Sequence, residues 1–390
     1  MIRENQGQSL RDYSNRKKRA KRIRNIIISA LFLVIAVLGI VYLLSIYNRN
    51  YQSYEVLKTV DNTGENAVGY LSYSSAVVKY SRDGATAIDK DGSLLWNGSY
   101  EMMNPIADTC GKYVVIADKN NKLIHIFNGK GSVGSYTTLY DILKVEIASQ
   151  GVVAALMEEK DSNYITLYNV DGTVLTEKKT NVNNEGYPID ISLSDDGEKI
   201  VVSYLSFTKG ELISTVAFFN FGEVGQNYID RFVGGYEFED IIVPRVTFLG
   251  NNTACAYKEN GFLIYSMIEK PRLILEENTE GKIQSILNND KYTGVVLEAG
   301  EASPKKLLLY DLKGKKILDK ALDFDYDKIF LTDEEIIMYD NLTCLVMKMN
   351  GKIKFKYTFD GNVKAFYPIN NLDRYFLINE SKISEILLVE

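Results

Sequence analysis

The pattern of hydrophobic and polar positions divides the 390-residue chain into two regimes. From Ile26 to Tyr47 no charged residue occurs, and fifteen positions are Leu, Ile, Val or Phe. At about 1.5 Å per residue, a helix of this length spans the roughly 30 Å hydrocarbon core of a bilayer. From Tyr54 onward the chain changes to runs of about five to eight residues rich in Val, Ile, Tyr, Leu and Phe, broken by Gly, Asn and Asp. No convincing amphipathic helix interrupts them. Such spacing predicts an all-β domain of short antiparallel strands.

A fixed repeat narrows the architecture. One unit, a strand followed by a tight polar turn with glycine and a second strand, reads AIDKDGSLLWN around Gly92 and LYNVDGTVLTE around Gly172. It returns as LYDLKGKKILD around Gly314 and VMKMNGKIKFK around Gly351. The glycine has a physical cause, because a tight hairpin needs positive φ at a turn position where a side chain is penalised. A second strand–turn–strand unit precedes each copy, clearest from Ile189 to Leu205. Together they place four strands in about 40–45 residues, the signature of a propeller blade. Blades begin near residues 66, 105, 143, 186, 241, 282 and 326, and the segment 363–390 supplies three further strands. Tyr54–Val60 is otherwise an orphan strand. Pairing it with the last segment completes that blade and hides both exposed edges. The prediction is therefore an eight-bladed β-propeller of four-stranded antiparallel blades, with seven blades as the alternative. In the long fourth blade, 206–210 and 222–235 read as loop insertions. Their aromatic residues Phe207, Tyr228 and Tyr236 are candidate binding contacts.

Charge sets the expected topology. Before the apolar run lie Arg16, Lys17, Lys18, Arg19, Lys21, Arg22 and Arg24, whereas the far flank begins with one cation, Arg49. Positive charge stays in the cytoplasm, so the amino terminus is expected inside and the β-domain outside. A cleaved signal peptide has a shorter apolar core and a small-residue cleavage site, and Ser45–Asn48 is not one. The expected organisation is a basic cytoplasmic tail (1–25), a transmembrane helix in the bilayer (26–47), a short linker (48–53) and an extracytoplasmic propeller (54–390). Residues 1–25 carry nine Lys/Arg and two Asp/Glu, a net of +7, which leaves 36 basic and 49 acidic residues beyond, a net of −13. A domain this acidic repels nucleic acid, so none is expected as a partner.

The stretches DKDGSLLW (Asp89 to Trp96) and LSDDGEKIVVS (Leu193 to Ser203) resemble those of the pyrroloquinoline-quinone-like and WD40/TolB-like propeller superfamilies. The layout as a whole, over residues 16–390, looks like a bacterial family of membrane-anchored propellers whose function is unknown. The resemblance implies fold and not chemistry. Quinone enzymes of this shape are expected to carry a vicinal cysteine pair and a tryptophan in nearly every blade. Here Cys110, Cys255 and Cys344 are isolated, and Trp96 is the only tryptophan.

Candidate chemistry is sparse. His125, the only histidine, sits in a strand pattern, and the cysteines lack metal-site spacing, so no metal or cofactor is expected. No G-x-S-x-G nucleophile elbow occurs. The carboxylate pairs Glu158-Glu159, Asp195-Asp196, Glu276-Glu277 and Glu334-Glu335 are adjacent, which in a strand points the two side chains to opposite faces. Lys305, Lys306, Lys313, Lys315, Lys316 and Lys320 read as guards of an outer edge strand. The expected function is a non-catalytic binding or scaffold module at the cell envelope, with a membrane or envelope protein or a glycan as partner. The alternative is a carbohydrate-active enzyme with carboxylates in the propeller funnel.

Overall fold

The computed structural model describes residues 21, 24–25, 27–41 and 49–390, apart from 63–66, 74–75, 90–91, 184, 209, 299, 301–303 and 371. The chain forms two units, 1–50 with Glu390, and 51–389. In the first, residues 27–41 are helical and exposed, as are Lys21 and Arg24. No helix of the described residues is long and apolar enough to cross a membrane. Ile26 and residues 42–47 of the expected span, and Arg16, Lys17, Lys18, Arg19 and Arg22 of the basic cluster, lie outside the described residues.

The second unit is an eight-bladed propeller: eight sheets, each of four antiparallel strands. Blades 1 to 7 are consecutive meanders over 67–99, 105–137, 141–181, 187–239, 245–278, 283–322 and 328–358. Blade 8 takes three strands from 365–389 and its fourth, outermost strand from Ser53–Asp61. That strand runs antiparallel to Lys382–Val389, from Ser53 opposite Val389 to Asp61 opposite Lys382, with one irregularity between Val56 and Lys58. The orphan strand thus closes the ring as its pattern predicts, and the propeller has the eight blades expected and not the alternative seven.

The repeating turns follow from backbone geometry. Gly92, Gly172, Gly314 and Gly351 adopt φ of 70°, 84°, 83° and 81°, where only glycine is unpenalised. Each donates its N–H three residues back, as from Gly172 to Asn169 O at 2.9 Å. The middle strands are apolar on both faces because both faces are buried. Val114 and Ile116 pack between blades 1 and 2, while Val115 and Ala117, one residue over, pack between blades 2 and 3. The core is accordingly eight separate clusters, one at each blade–blade interface.

The interface that closes the ring, between blades 8 and 1, has the smallest of these clusters, with Val77, Ala365, Phe376, Ile378 and Ile383 buried. A polar hub supplements it. Asn62, which follows the closing strand, donates through Nδ2 to Tyr70 OH (3.1 Å) and Asn379 O (2.8 Å) and accepts from Lys79 Nζ (2.8 Å). Burial holds the Lys79 ammonium below its ordinary pKa, so its acceptor matters. Replacing Asn62 by Ala strips a buried cation of that acceptor and should cost about 1–3 kcal/mol in denaturant unfolding. A midpoint shift no larger than that of an exposed-surface control would show that the hub does not secure closure.

In blade 4 the second and third strands, Lys199–Thr208 and Glu211–Asn220, each run ten residues and form a long hairpin. The second expected insertion is shorter than 222–235. It folds into two 3₁₀ turns, Val224–Asn227 and Ile229–Arg231, and the outer strand begins at Phe232.

Candidate functional site: the channel mouth

Each blade presents its first strand to the central channel, and these innermost strands are sheet edges with unpaired backbone donors. Polar side chains from one inner strand satisfy the N–H groups of the next. Asp108 (blade 2) accepts from Ile147 N (blade 3) through Oδ2 at 2.9 Å. Glu146 (blade 3) accepts from Leu193 N (blade 4) at 2.7 Å. Asp190 and Ser192 (blade 4) accept from Val246 N and Phe248 N (blade 5), each at 2.9 Å. The staircase runs along the inner strands of blades 2 to 5.

Lys144 neutralises this run. Its Nζ donates to Asp190 Oδ1 (2.7 Å) and Ile191 O (2.6 Å) and pairs with Glu146 Oε1 at 2.9 Å. Charge from Glu146 and Asp190 outweighs burial and holds the lysine above its ordinary pKa, so it stays cationic. The second Glu146 oxygen takes the Ser192 hydroxyl at 2.7 Å. The carboxylates of Glu146 and Asp190 are therefore committed acceptors on both oxygens. They hold the inner strands in register and are poorly placed to serve as acid and nucleophile.

Two cavities of about 440 Å³ open on this network and share Lys144 and Arg245. The deeper one is lined by Glu146, Thr247, Gln284 and Asn288. The other lies at the mouth, where the chain enters the inner strands, and is lined by Lys119, Tyr187, Pro188, Asp190 and Pro244. Asp118 fixes one side of the mouth. Its buried carboxylate accepts from Met103 N (3.1 Å), Asn104 N (2.7 Å) and Asn121 Nδ2 (2.9 Å), which sets the turn carrying Lys119. The other side, the connection 240–244 ahead of Arg245, is tied to the long hairpin. Ser203 Oγ donates to Val243 O at 2.6 Å, and Val243 N donates to Ser214 Oγ at 3.2 Å.

The connections on this face expose apolar side chains. Met103 is 65% exposed, Leu139 66% and Ile242 44%, and Phe207, near the tip of the hairpin, 75%. Of the three aromatic residues predicted as contacts, only Phe207 stands on the surface. Tyr236 is in the outer strand, packed on Tyr265 (ring centroids 4.8 Å). Tyr228 lies against the blade 4–5 core beneath Lys270. The 3₁₀ turns fold that insertion back onto blade 5, so the three do not converge. Of the adjacent carboxylate pairs, Glu158 reaches the mouth, where it accepts from Tyr187 OH at 3.3 Å, and of the blade 6 lysines Lys305, Lys306 and Lys316 are engaged in ion pairs. His125 is half-buried, with Nε2 3.2 Å from Ser135 Oγ. Burial pushes the Cys110 and Cys255 thiols up to about 12, which makes them inert.

The residues that form the mouth, Lys119, Lys144, Asp190 and Arg245, are not prominent in the sequence. The available signal was a lone charged residue inside an otherwise apolar first strand, as in Pro105–Cys110 and Tyr187–Leu193.

Asp108 carries a pH prediction. Burial, with the charge of Glu146, raises its carboxyl from 3.8 to about 7. A carboxyl held above its unfolded value binds its proton in the folded state, so stability is highest at acid pH and falls as pH rises through about 7. Asp108→Asn should raise Tm relative to the parent at pH 8 and change it little at pH 4.5. An equal loss of Tm at both values would rule this out.

No curated protein matches the chain in sequence. In fold it is similar to the solved structure of BamB from Moraxella catarrhalis, with TM-score 0.50 and 11% identity over 86% of this chain and 100% of that one. It is also similar to a eukaryotic initiation factor, with TM-score 0.52 and 11% identity over 80% of this chain and 81% of the other. At such identity the likeness is one of fold alone. Residues 47–388 match the family described as a family of unknown function, DUF5711, and the chain belongs to that family.

Proposed function

We propose that this protein is a single-pass, membrane-anchored propeller that acts outside the cytoplasm as a non-catalytic binding module for an envelope or membrane protein. The observation that carries the binding reading is the composition of the channel-mouth face. Exposed Met103, Leu139, Phe207 and Ile242 stand around a polar mouth whose carboxylates are already engaged. Apolar side chains around a polar centre are what a protein contact surface uses, and an interface draws most of its affinity from a few such anchors. A glycosidase would instead need two free carboxyls across a cleft.

Anchoring rests on the sequence: the uncharged run 26–47 and the basic cluster before it. Confinement to a membrane plane raises the effective concentration of partners in the same membrane, so contacts that are weak in solution suffice.

The test is site-specific photocrosslinking in living cells from position 242, with position 268 as control. Ile268 is equally apolar and 67% exposed, but lies on the turns of the opposite face. Adducts with a defined protein from position 242, reduced by Phe207→Ser and absent from position 268, are expected. Adducts from 268 alone, or from neither position, would overturn the reading. In intact wall-stripped cells, protease should remove a carboxy-terminal tag and spare an amino-terminal one. Protection of the carboxy-terminal tag would reverse the topology.

A further inference from the structure

We propose that the channel mouth between blades 2 and 5 is a carboxylate-binding site, which receives an acidic side chain of the protein partner between the Lys119 ammonium and the Arg245 guanidinium. This inference rests on the binding-module reading and names the chemistry of the same face.

Charge at the mouth is positive. The mouth cavity is lined by three cations, Lys119, Lys144 and Arg245, against a single carboxylate, Asp190. Glu146, just outside the lining, also pairs with Lys144, so three cations face two carboxylates, and the one positive charge left over sits in a region, residues 26–390, whose net charge is −13. A cation surplus of this kind is not what the average composition of the domain produces.

The donors of these cations are not equally engaged. Lys144 is spent on Asp190, Glu146 and the Ile191 carbonyl. Asp190 is likewise spent, on Lys144 and Val246 N, and its side chain is only 5% exposed. Arg245 is different. Its side chain is 55% exposed, and its one ion pair among the described residues is a long contact from Nε to Asp190 Oδ2 at 3.9 Å. Both Nη groups are thus left for another acceptor, in the fork geometry that suits a carboxylate. Lys119 is exposed and lines the same cavity, and its ammonium pairs with no acid among the described residues.

The two cations with donors to spare are also preorganised. The Asp118 carboxylate sets the turn that carries Lys119. Pro244 and the Ser203–Val243–Ser214 bonds set the approach to Arg245. Both cations therefore stand on fixed backbone, which lowers the ordering cost of binding. Apolar wall residues such as Ile106, Leu143 and Ile189 shield the cavity and concentrate its field.

The class of ligand follows from the surroundings. A polyanion, whether nucleic acid or an anionic lipid surface, meets the repulsion of the whole acidic domain. A single carboxylate meets far less of that repulsion and is offset by the cations of this cavity. Met103 and Ile242, on the connections at either side, are placed to grip apolar residues next to the acid. The fitting partner is an extended polypeptide segment with a Glu or Asp between apolar residues.

The experiment uses the full-length protein and two probes, acetyl-Leu-Glu-Leu-Glu-Leu-amide and its Gln counterpart, with phosphatidylglycerol vesicles as a third arm. Binding is read by the methyl resonances of ¹³C-labelled methionine, with Met103 assigned by Met103→Leu. The Glu peptide should shift Met103 and bind at least about tenfold more tightly than the Gln peptide, with affinity that falls as salt rises. Arg245→Gln and Lys119→Gln should each weaken the Glu peptide by about fivefold or more and leave Tm unchanged, since both side chains are solvent-exposed. Equal affinity for the two peptides, no shift at millimolar Glu peptide, indifference to both substitutions, or binding of the vesicles alone would each overturn the site. If the peptide arm fails while crosslinks from position 242 persist, this site falls and the binding module stands. If the crosslinks vanish while the peptide binds as expected, the module reading is the one that fails.

Discussion

Everything in this propeller depends on one backbone ladder, the pairing of Ser53–Asp61 with Lys382–Val389. A ring of sheets is stable only if its last interface forms, because each blade buries its two faces against two neighbours. The segment that supplies the closing strand reaches three blades. Tyr51 N donates to Lys354 O of blade 7 at 2.8 Å, and Tyr54 packs edge-on against Tyr357 at 5.1 Å. The strand then completes blade 8, and Asn62 reaches Tyr70 and Lys79 of blade 1. Residues from the two ends of the propeller sequence therefore share one sheet. The entropy of joining them is repaid by the long ladder and the packing it licenses.

A second constraint comes from the inner strands. A propeller abolishes outer-face exposure between blades but leaves eight inner edges around the channel, each with backbone donors to satisfy. This protein uses acidic and hydroxyl side chains for that purpose in blades 2 to 5, and Lys144 balances the negative charge they bring. Asp108, Glu146 and Asp190 are thus accounted for by architecture before any chemistry is invoked. The same accounting singles out Lys119 and Arg245, whose charge the staircase does not consume.

Fold and site are separable here. A comparable propeller appears in BamB and in an initiation factor at 11% identity, so the scaffold constrains function weakly. The features that bear on function here are local: a hairpin of two ten-residue strands beside the mouth, and a cation-lined cavity inside an acidic domain.

The sequence by itself determined the strands and the four-strand unit, and narrowed the blades to eight or seven, with eight preferred. These follow from local rules: period-two patterning, apolar middle strands, and turn glycines such as Gly172 and Gly314 whose positive φ a side chain would strain. Closure was legible too, since Tyr54–Val60 was a strand without a partner and the last blade lacked one. The site was not legible. Lys119, Lys144, Asp190 and Arg245 come from four different blades, and only the radial arrangement of inner strands brings them to one cavity. Nor did local pattern reveal depth. Phe207, Tyr228 and Tyr236 look alike as aromatic residues in a long blade, yet the hairpin lifts Phe207 into solvent while the 3₁₀ turns press Tyr228 onto the core. Which polar group is spent and which is free depends on neighbours about forty residues away, one blade along, and that was decided by the tertiary structure alone.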